Sequence, residues 1–214
     1  MNGEKLMNEN FGWDALKLTI FKIFSSVIIM LNAMLLSRFR TLEEYGTYSQ
    51  LILVINLSTT IFLIGLPNSI NYFLSSFEDE RDKKRFISLF YIIVTFVSVF
   101  IGVLLVILAP SVELYFKNPE IRGYLFFLLI YPWTKVIIST KDNALIVYGK
   151  ITKLSIMKIV EASIIFLVII ISYFANLSFS YYLVLFLIGE VLFTLYVYYC
   201  VFKISGGFEF YFSY

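Results

Sequence analysis

The sequence predicts an all-α, polytopic integral membrane protein, a single six-transmembrane-helix bundle over residues 1–214. Three observations predict it. Sixty per cent of the residues are hydrophobic and only 15% are charged, with a mean hydropathy of +0.86, whereas a soluble domain needs about 25% charged residues to cover its surface. Apolar runs recur in blocks of about 20 residues, the length at which a helix crosses a hydrocarbon core about 30 Å thick. The polar/apolar alternation over segments of about 10 residues that marks a membrane barrel is absent.

Each span can be justified in order. The first, Leu16–Leu36, is too long for a cleavable signal and lacks a small-residue cleavage site after it, so it is retained as a true helix. The second, Tyr48–Leu66, follows "RTLEEYG", where Thr41 and Glu44 have capping-box spacing and Glu43 and Glu44 meet the positive end of the helix dipole. The third, Phe86–Leu108, follows the charge cluster "SSFEDERDKKRF", read as a solvated turn. The fourth, Tyr124–Leu145, follows the hinge "APSVELYFKNPEIRG" and contains Pro132, whose missing N–H predicts a kink. The fifth, Leu154–Phe174, follows a turn at Gly149, and the sixth, Tyr181–Val201, follows the uncharged "ANLS". No connection is long enough for an extramembrane domain, which needs about 50 residues. Asn32, Asn56, Ser58, Thr59 and Thr60 read as interhelical hydrogen-bonding groups, and the phenylalanines as lipid-facing.

The sequence contains no histidine, and so lacks the commonest metal ligand and the commonest general base. The lone Cys200 permits no internal disulfide. No catalytic residue, metal site, cofactor or nucleic-acid partner is expected, and the chain reads as a non-enzyme. Basic residues orient it. With a cytoplasmic N-terminus the inner segments hold Lys5, Lys17, Arg81, Lys83, Lys84, Arg85, Lys141, Lys150, Lys153 and Lys203, against Arg38, Arg40, Lys117 and Arg122 outside. The positive-inside rule therefore puts both termini in the cytoplasm.

Charged residues at a span's centre cost about 2.5–3.5 kcal/mol on insertion scales and persist where they face a bundle interior or a wet cavity. Lys135 lies mid-span, three residues after Pro132. Lys158 and Glu161 stand three apart on one helix face, the spacing of a structural ion pair. Glu190, mid-way along the last span, is protonated, paired with Lys135 or Lys158, or the seat of a coupling ion. Lys22 lies one to two turns into the first span, where it either faces the bundle or snorkels to headgroups.

The stretch "LSRFRTLEEYGTYSQLILVINLSTTIFLIGLPNSINYFLSS", with Leu42, Glu44, Tyr45, Gly46, Tyr48 and Ser49 in an L-x-E-Y-G-x-Y-S pattern and Gly65, Leu66 and Pro67 after it, resembles polysaccharide biosynthesis proteins of the O-antigen flippase type. "NALIVYGKITKLSIMKI" is similar to that family's fourth-to-fifth-helix turn. The resemblance implies the multidrug/oligosaccharidyl-lipid/polysaccharide exporter superfamily, and a flippase that carries undecaprenyl-pyrophosphate-linked oligosaccharide across the bacterial inner membrane. Such transporters alternate access between two six-helix lobes. On this reading the chain is the N-terminal lobe, a truncated product, fragment or split half lacking its C-terminal lobe. Its partners are lipid-linked oligosaccharide, membrane lipid, and a C-terminal six-helix half or a second copy. Lys135 and Lys22 become the substrate-binding residues for the anionic pyrophosphate, and Glu190, Glu161 and Lys158 ion-coupling groups or a structural ion pair. An integral-membrane polymerase or acyltransferase of envelope glycan assembly, and a multidrug exporter of the same superfamily, are the alternatives.

The orientation has a direct test. Reporter fusions after Ser205 are expected to show cytoplasmic activity, and fusions within "VELYFKN" the opposite; an extracytoplasmic signal at the C-terminal site would reverse the topology.

Overall fold

The computed structural model describes residues 2–209, and the side chains of residue 16 and of residues 18–209. The side chains of Lys5 and Lys17, both in the inner basic set, lie outside the described residues. Among the described residues the chain forms seven α-helices: α1 (Asn2–Phe39), α2 (Leu42–Phe62), α3 (Leu66–Ser76), α4 (Glu80–Phe116), α5 (Leu125–Val147), α6 (Ile151–Phe174) and α7 (Phe179–Ile204), with a 3₁₀ turn at Pro119–Tyr124. Residues 18–39 of α1, α4, the 3₁₀ turn together with α5 (Pro119–Val147), α6 and α7 are each long and apolar enough to cross a membrane. α2 and α3 qualify only as a pair, bent by 43° at the break between them, so the bundle makes six crossings when that pair is one span.

The helix of the second span starts where its capping residues place it, at Leu42: the Thr41 hydroxyl accepts from the Glu44 N–H at 3.2 Å and the Glu44 carboxylate accepts from the Thr41 N–H at 3.3 Å, the expected capping box. It differs from the predicted span in that it breaks. Gly65 takes a left-handed φ of +81° and Pro67 occupies the first turn of α3, so no continuous hydrogen-bond ladder passes this point. The charge cluster before the third span is likewise largely helix, not a solvated turn. Asp79 caps α4 by accepting from the Arg81 N–H at 2.9 Å, and Glu80 and Asp82 complement the dipole in its first turn. α4 then runs for 37 residues, about 55 Å, well beyond the hydrocarbon thickness. α5 continues as one helix through Pro132.

α5 is the central element, packed against α2, α3, α4, α6 and α7, while α1 lies along α6 and touches α2 only lightly. One face of the bundle, here the terminal face, carries the start of α1, the α3–α4 junction, the α5–α6 turn and the end of α7. The Lys84 amine at the start of α4 lies 3.8 Å from the Glu209 carboxylate beyond α7, which fixes those two ends on that face. Large apolar side chains such as Met30, Phe96 and Ile107 are exposed all round the outside, as lipid-facing residues are. Asn32, read as an interhelical donor, gives its amide N–H to the Ala162 carbonyl at 3.0 Å and ties α1 to α6.

The α4–α5 contact depends on one glycine. A Cβ on Gly102 would fall inside the contact radius of the Leu129 carbonyl oxygen, a backbone atom that cannot swing aside. Gly102→Val is therefore expected to destabilise the bundle by about 1–3 kcal/mol through overpacking. Gly46→Ala on α2, where a Cβ meets nothing within 4 Å, should leave stability unchanged or higher. Thermal unfolding of the purified chain in detergent distinguishes the two.

Candidate functional site

Three helices contribute one stripe each to a shared cavity. On α1 the stripe is Lys22, Ser25, Ser26 and Ile29; on α5 it includes Lys135, Ile138, Ser139 and Asp142; on α6 it is Lys158, Glu161, Ala162 and Ile165. Each set follows the i, i+3, i+4, i+7 spacing of one helix face. Glu190 of α7 and Tyr131 of α5 complete the wall, around about 320 Å³. All five charged residues singled out from the sequence, Lys22, Lys135, Lys158, Glu161 and Glu190, line this one hollow. Lys135 stands about 18 Å of helix from the end of α5, near mid-depth in a bilayer about 30 Å thick.

The pairing inside the cavity departs from the simple spacing argument. Lys158 and Glu161 do not pair along α6. Lys158 reaches across to Asp142 of α5 at 2.5 Å, and Glu161 takes Lys141 of α5 at 2.7 Å. Lys141 also lies 3.6 Å from Asp142 and donates to the Ile138 carbonyl at 3.0 Å, and its side chain is only 3% exposed. It is buried inside the bundle. Counting it with the inner-loop lysines was incorrect, since it lies six residues before the end of α5.

With those pairs made, two lysines and one carboxylate remain. Lys135 makes no ion pair among the described residues; its amine lies 5.9 Å from the Tyr131 ring centroid, within cation–π range. Lys22 is exposed and also without an ion pair there. Glu190 is 6% exposed and pairs with neither Lys135 nor Lys158, the two partners its position suggested. With every group ionised, four lysines face three carboxylates, leaving one positive charge in excess. Lys135 and Ser139 also border a second hollow of about 430 Å³ beside the α2–α3 break, shared with Thr59, Leu63, Gly65 and Pro67. Asn143 fixes that break by donating to the Pro67 carbonyl at 2.6 Å.

Lys141 and Asp142 are the cavity charges that sequence reasoning missed. A signal for Asp142 was present: it lies seven residues after Lys135, on the same helix face and inside the predicted fourth span.

Comparison with known proteins gives one finding. The sequence model of a family described as polysaccharide biosynthesis protein matches residues 35–213. The match takes in α2 to α7, and so all the cavity charges except Lys22. No curated protein and no solved structure matches. A family match over most of the chain, on a helical membrane bundle with a charged interior, shows that the chain belongs to the polysaccharide biosynthesis protein family.

Proposed function

We propose that the chain is one lobe of a flippase that carries an undecaprenyl-pyrophosphate-linked oligosaccharide across the bacterial inner membrane. The observation that carries this reading is Lys135, a mid-depth lysine that lines a polar cavity while the neighbouring lysines Lys141 and Lys158 are already neutralised. A half-buried ammonium with no ion pair among the described residues attracts a pyrophosphate strongly, because the low-dielectric surroundings screen it little. Lys22, exposed on α1, extends the cationic path toward the terminal face, and the hydroxyls of Ser25, Ser26 and Ser139 supply hydrogen-bonding groups for sugars. The excess of lysine favours an anionic cargo over an amphipathic cation. In this scheme no chemical bond is made or broken, and the chain is not an enzyme.

The terminal face is assigned to the cytoplasm, where Arg81, Lys83, Lys84, Arg85, Lys150, Lys153 and Lys203 satisfy the positive-inside rule without Lys141. Alternating access requires a second body to rock against the first. A C-terminal six-helix half or a second copy fills that role across the cavity. Glu190, a buried carboxylate without an ion pair in the same hollow, is the group assigned to the coupling proton or cation.

Two outcomes test the proposal in a flippase-deficient bacterium. The chain expressed alone as a monomer is expected not to restore glycan export, and export should return when a matching six-helix half is supplied. In that restored system Lys135→Ala should lower transport at least about tenfold, the worth of one lost charge-assisted contact of about 1.5–3 kcal/mol, with protein level unchanged. Lys135→Arg should keep part of the activity. Adding Glu190→Gln should not rescue the alanine variant, because no ion pair joins Lys135 to Glu190 and the change also removes the group assigned to coupling. Rescue of transport by that double change would remove Lys135 from the substrate site.

A further inference from the structure

A second hollow of different character lies on the terminal face, where α6 leaves its turn and passes α7. It encloses about 470 Å³ and shares no residue with the charged cavity. Its rim is basic. Gly149, with a φ of +63°, turns the chain so that Lys150 and Lys153 stand three apart at the start of α6, on one face of its first turn. Neither makes an ion pair among the described residues, and both line the same groove. Below the rim the groove is apolar. Met157 forms a buried floor, while Ile156 of α6 and Tyr196 of α7 are about half exposed on the outside of the bundle. α6 also begins at this rim without a side-chain cap, so its first N–H groups remain available to an anion.

Two lysines at the start of a membrane-crossing helix, beside an apolar slot on the outside of the bundle, are complementary to an amphiphile with an anionic head and hydrocarbon tails. We propose that this groove is a binding site for an anionic phospholipid of the surrounding leaflet, its phosphodiester held between Lys150 and Lys153 and its acyl chains lying along Ile156 and Tyr196. The charge complementarity selects against zwitterionic lipids, whose own cation would meet the two lysines. The slot selects against soluble phosphates, which would leave Ile156 and Tyr196 uncovered. The site is independent of the transport reading, since it needs only the groove and the bilayer.

Native mass spectrometry of the full chain in mild detergent tests this, with phosphatidylglycerol and phosphatidylcholine offered at equal concentration. Phosphatidylglycerol is expected to be retained preferentially, and Lys150→Gln with Lys153→Gln should lower its occupancy at least about threefold. Lys203→Gln, which removes another lysine on the same face from α7, should not lower it. As a second readout, Ile156→Trp should be quenched more by brominated phosphatidylglycerol than by brominated phosphatidylcholine, and the two glutamine changes should abolish that preference. Equal retention of both lipids, an equal loss in Lys203→Gln, or displacement of the lipid by millimolar inorganic phosphate would each overturn the site.

Discussion

The crossed ion pairs between α5 and α6 are the constraint on which the cavity depends. Two lysines and two carboxylates sit side by side within spans, where each would be costly alone. Lys141 with Glu161 and Lys158 with Asp142 make each charge the partner of one on the facing helix, so neither helix can turn about its axis without stranding two of them. A pair along α6, between Lys158 and Glu161, would have left Lys141 and Asp142 to each other on α5 and tied neither helix to the other. The cross-links instead fix the register of the two helices. Since α5 packs against most of the bundle, that register is passed on to α2, α3, α4 and α7.

Close backbone approach does the complementary work behind the cavity. Gly102 lets α4 reach the Leu129 carbonyl of α5, and at Gly189 a Cβ would lie 2.9 Å from the Ile164 methyl of α6. The second contact draws α7 against α6 one residue before Glu190, which places that carboxylate on the cavity wall. At the opposite face Arg40 performs a similar closure. Its guanidinium donates to the Leu177 carbonyl at 2.8 Å and to the Ser172 hydroxyl, and it lies 5.1 Å from the Tyr182 ring centroid. The α1–α2 corner is thereby tied to the α6–α7 turn, while the charged hollow lies toward the terminal face.

Much of this was legible in sequence because hydropathy and helical period are local. The six apolar runs, the Thr41–Glu44 cap and the interhelical role of Asn32 all rest on neighbouring residues or on the cost of burying a polar group. The convergence of Lys22, Lys135, Lys158, Glu161 and Glu190 followed from the same cost, since a charge within a span has few places to point. Pairing was not legible. A spacing of three residues places Lys158 and Glu161 on one face without saying whether they bond to each other, and the facing residues lie on another helix. The α2–α3 break was hidden because its residues stay apolar. Gly65 and Pro67 signal it only through backbone geometry, and a hydropathy window passes over them. Lys141 was misplaced for a related reason: a lysine near a span's end reads as a loop lysine until the facing carboxylate is known.

The same pairing gives Lys135 its distinct position among the cavity lysines. To engage Lys141 or Lys158, an incoming anion must displace Glu161 or Asp142 and leave that carboxylate buried without its partner, which offsets most of the gain. Lys135 carries no such cost, because it makes no ion pair among the described residues, and the Tyr131 ring near its amine is a weaker and more easily exchanged neighbour. It also stands where two hollows meet, one beside α1 and α6 and the other beside the α2–α3 break. A lysine with four rotatable carbons can follow a ligand from one to the other without moving the backbone. On the proposed reading the ion pairs thus serve binding indirectly, by leaving Lys135 at mid-depth outside both of them.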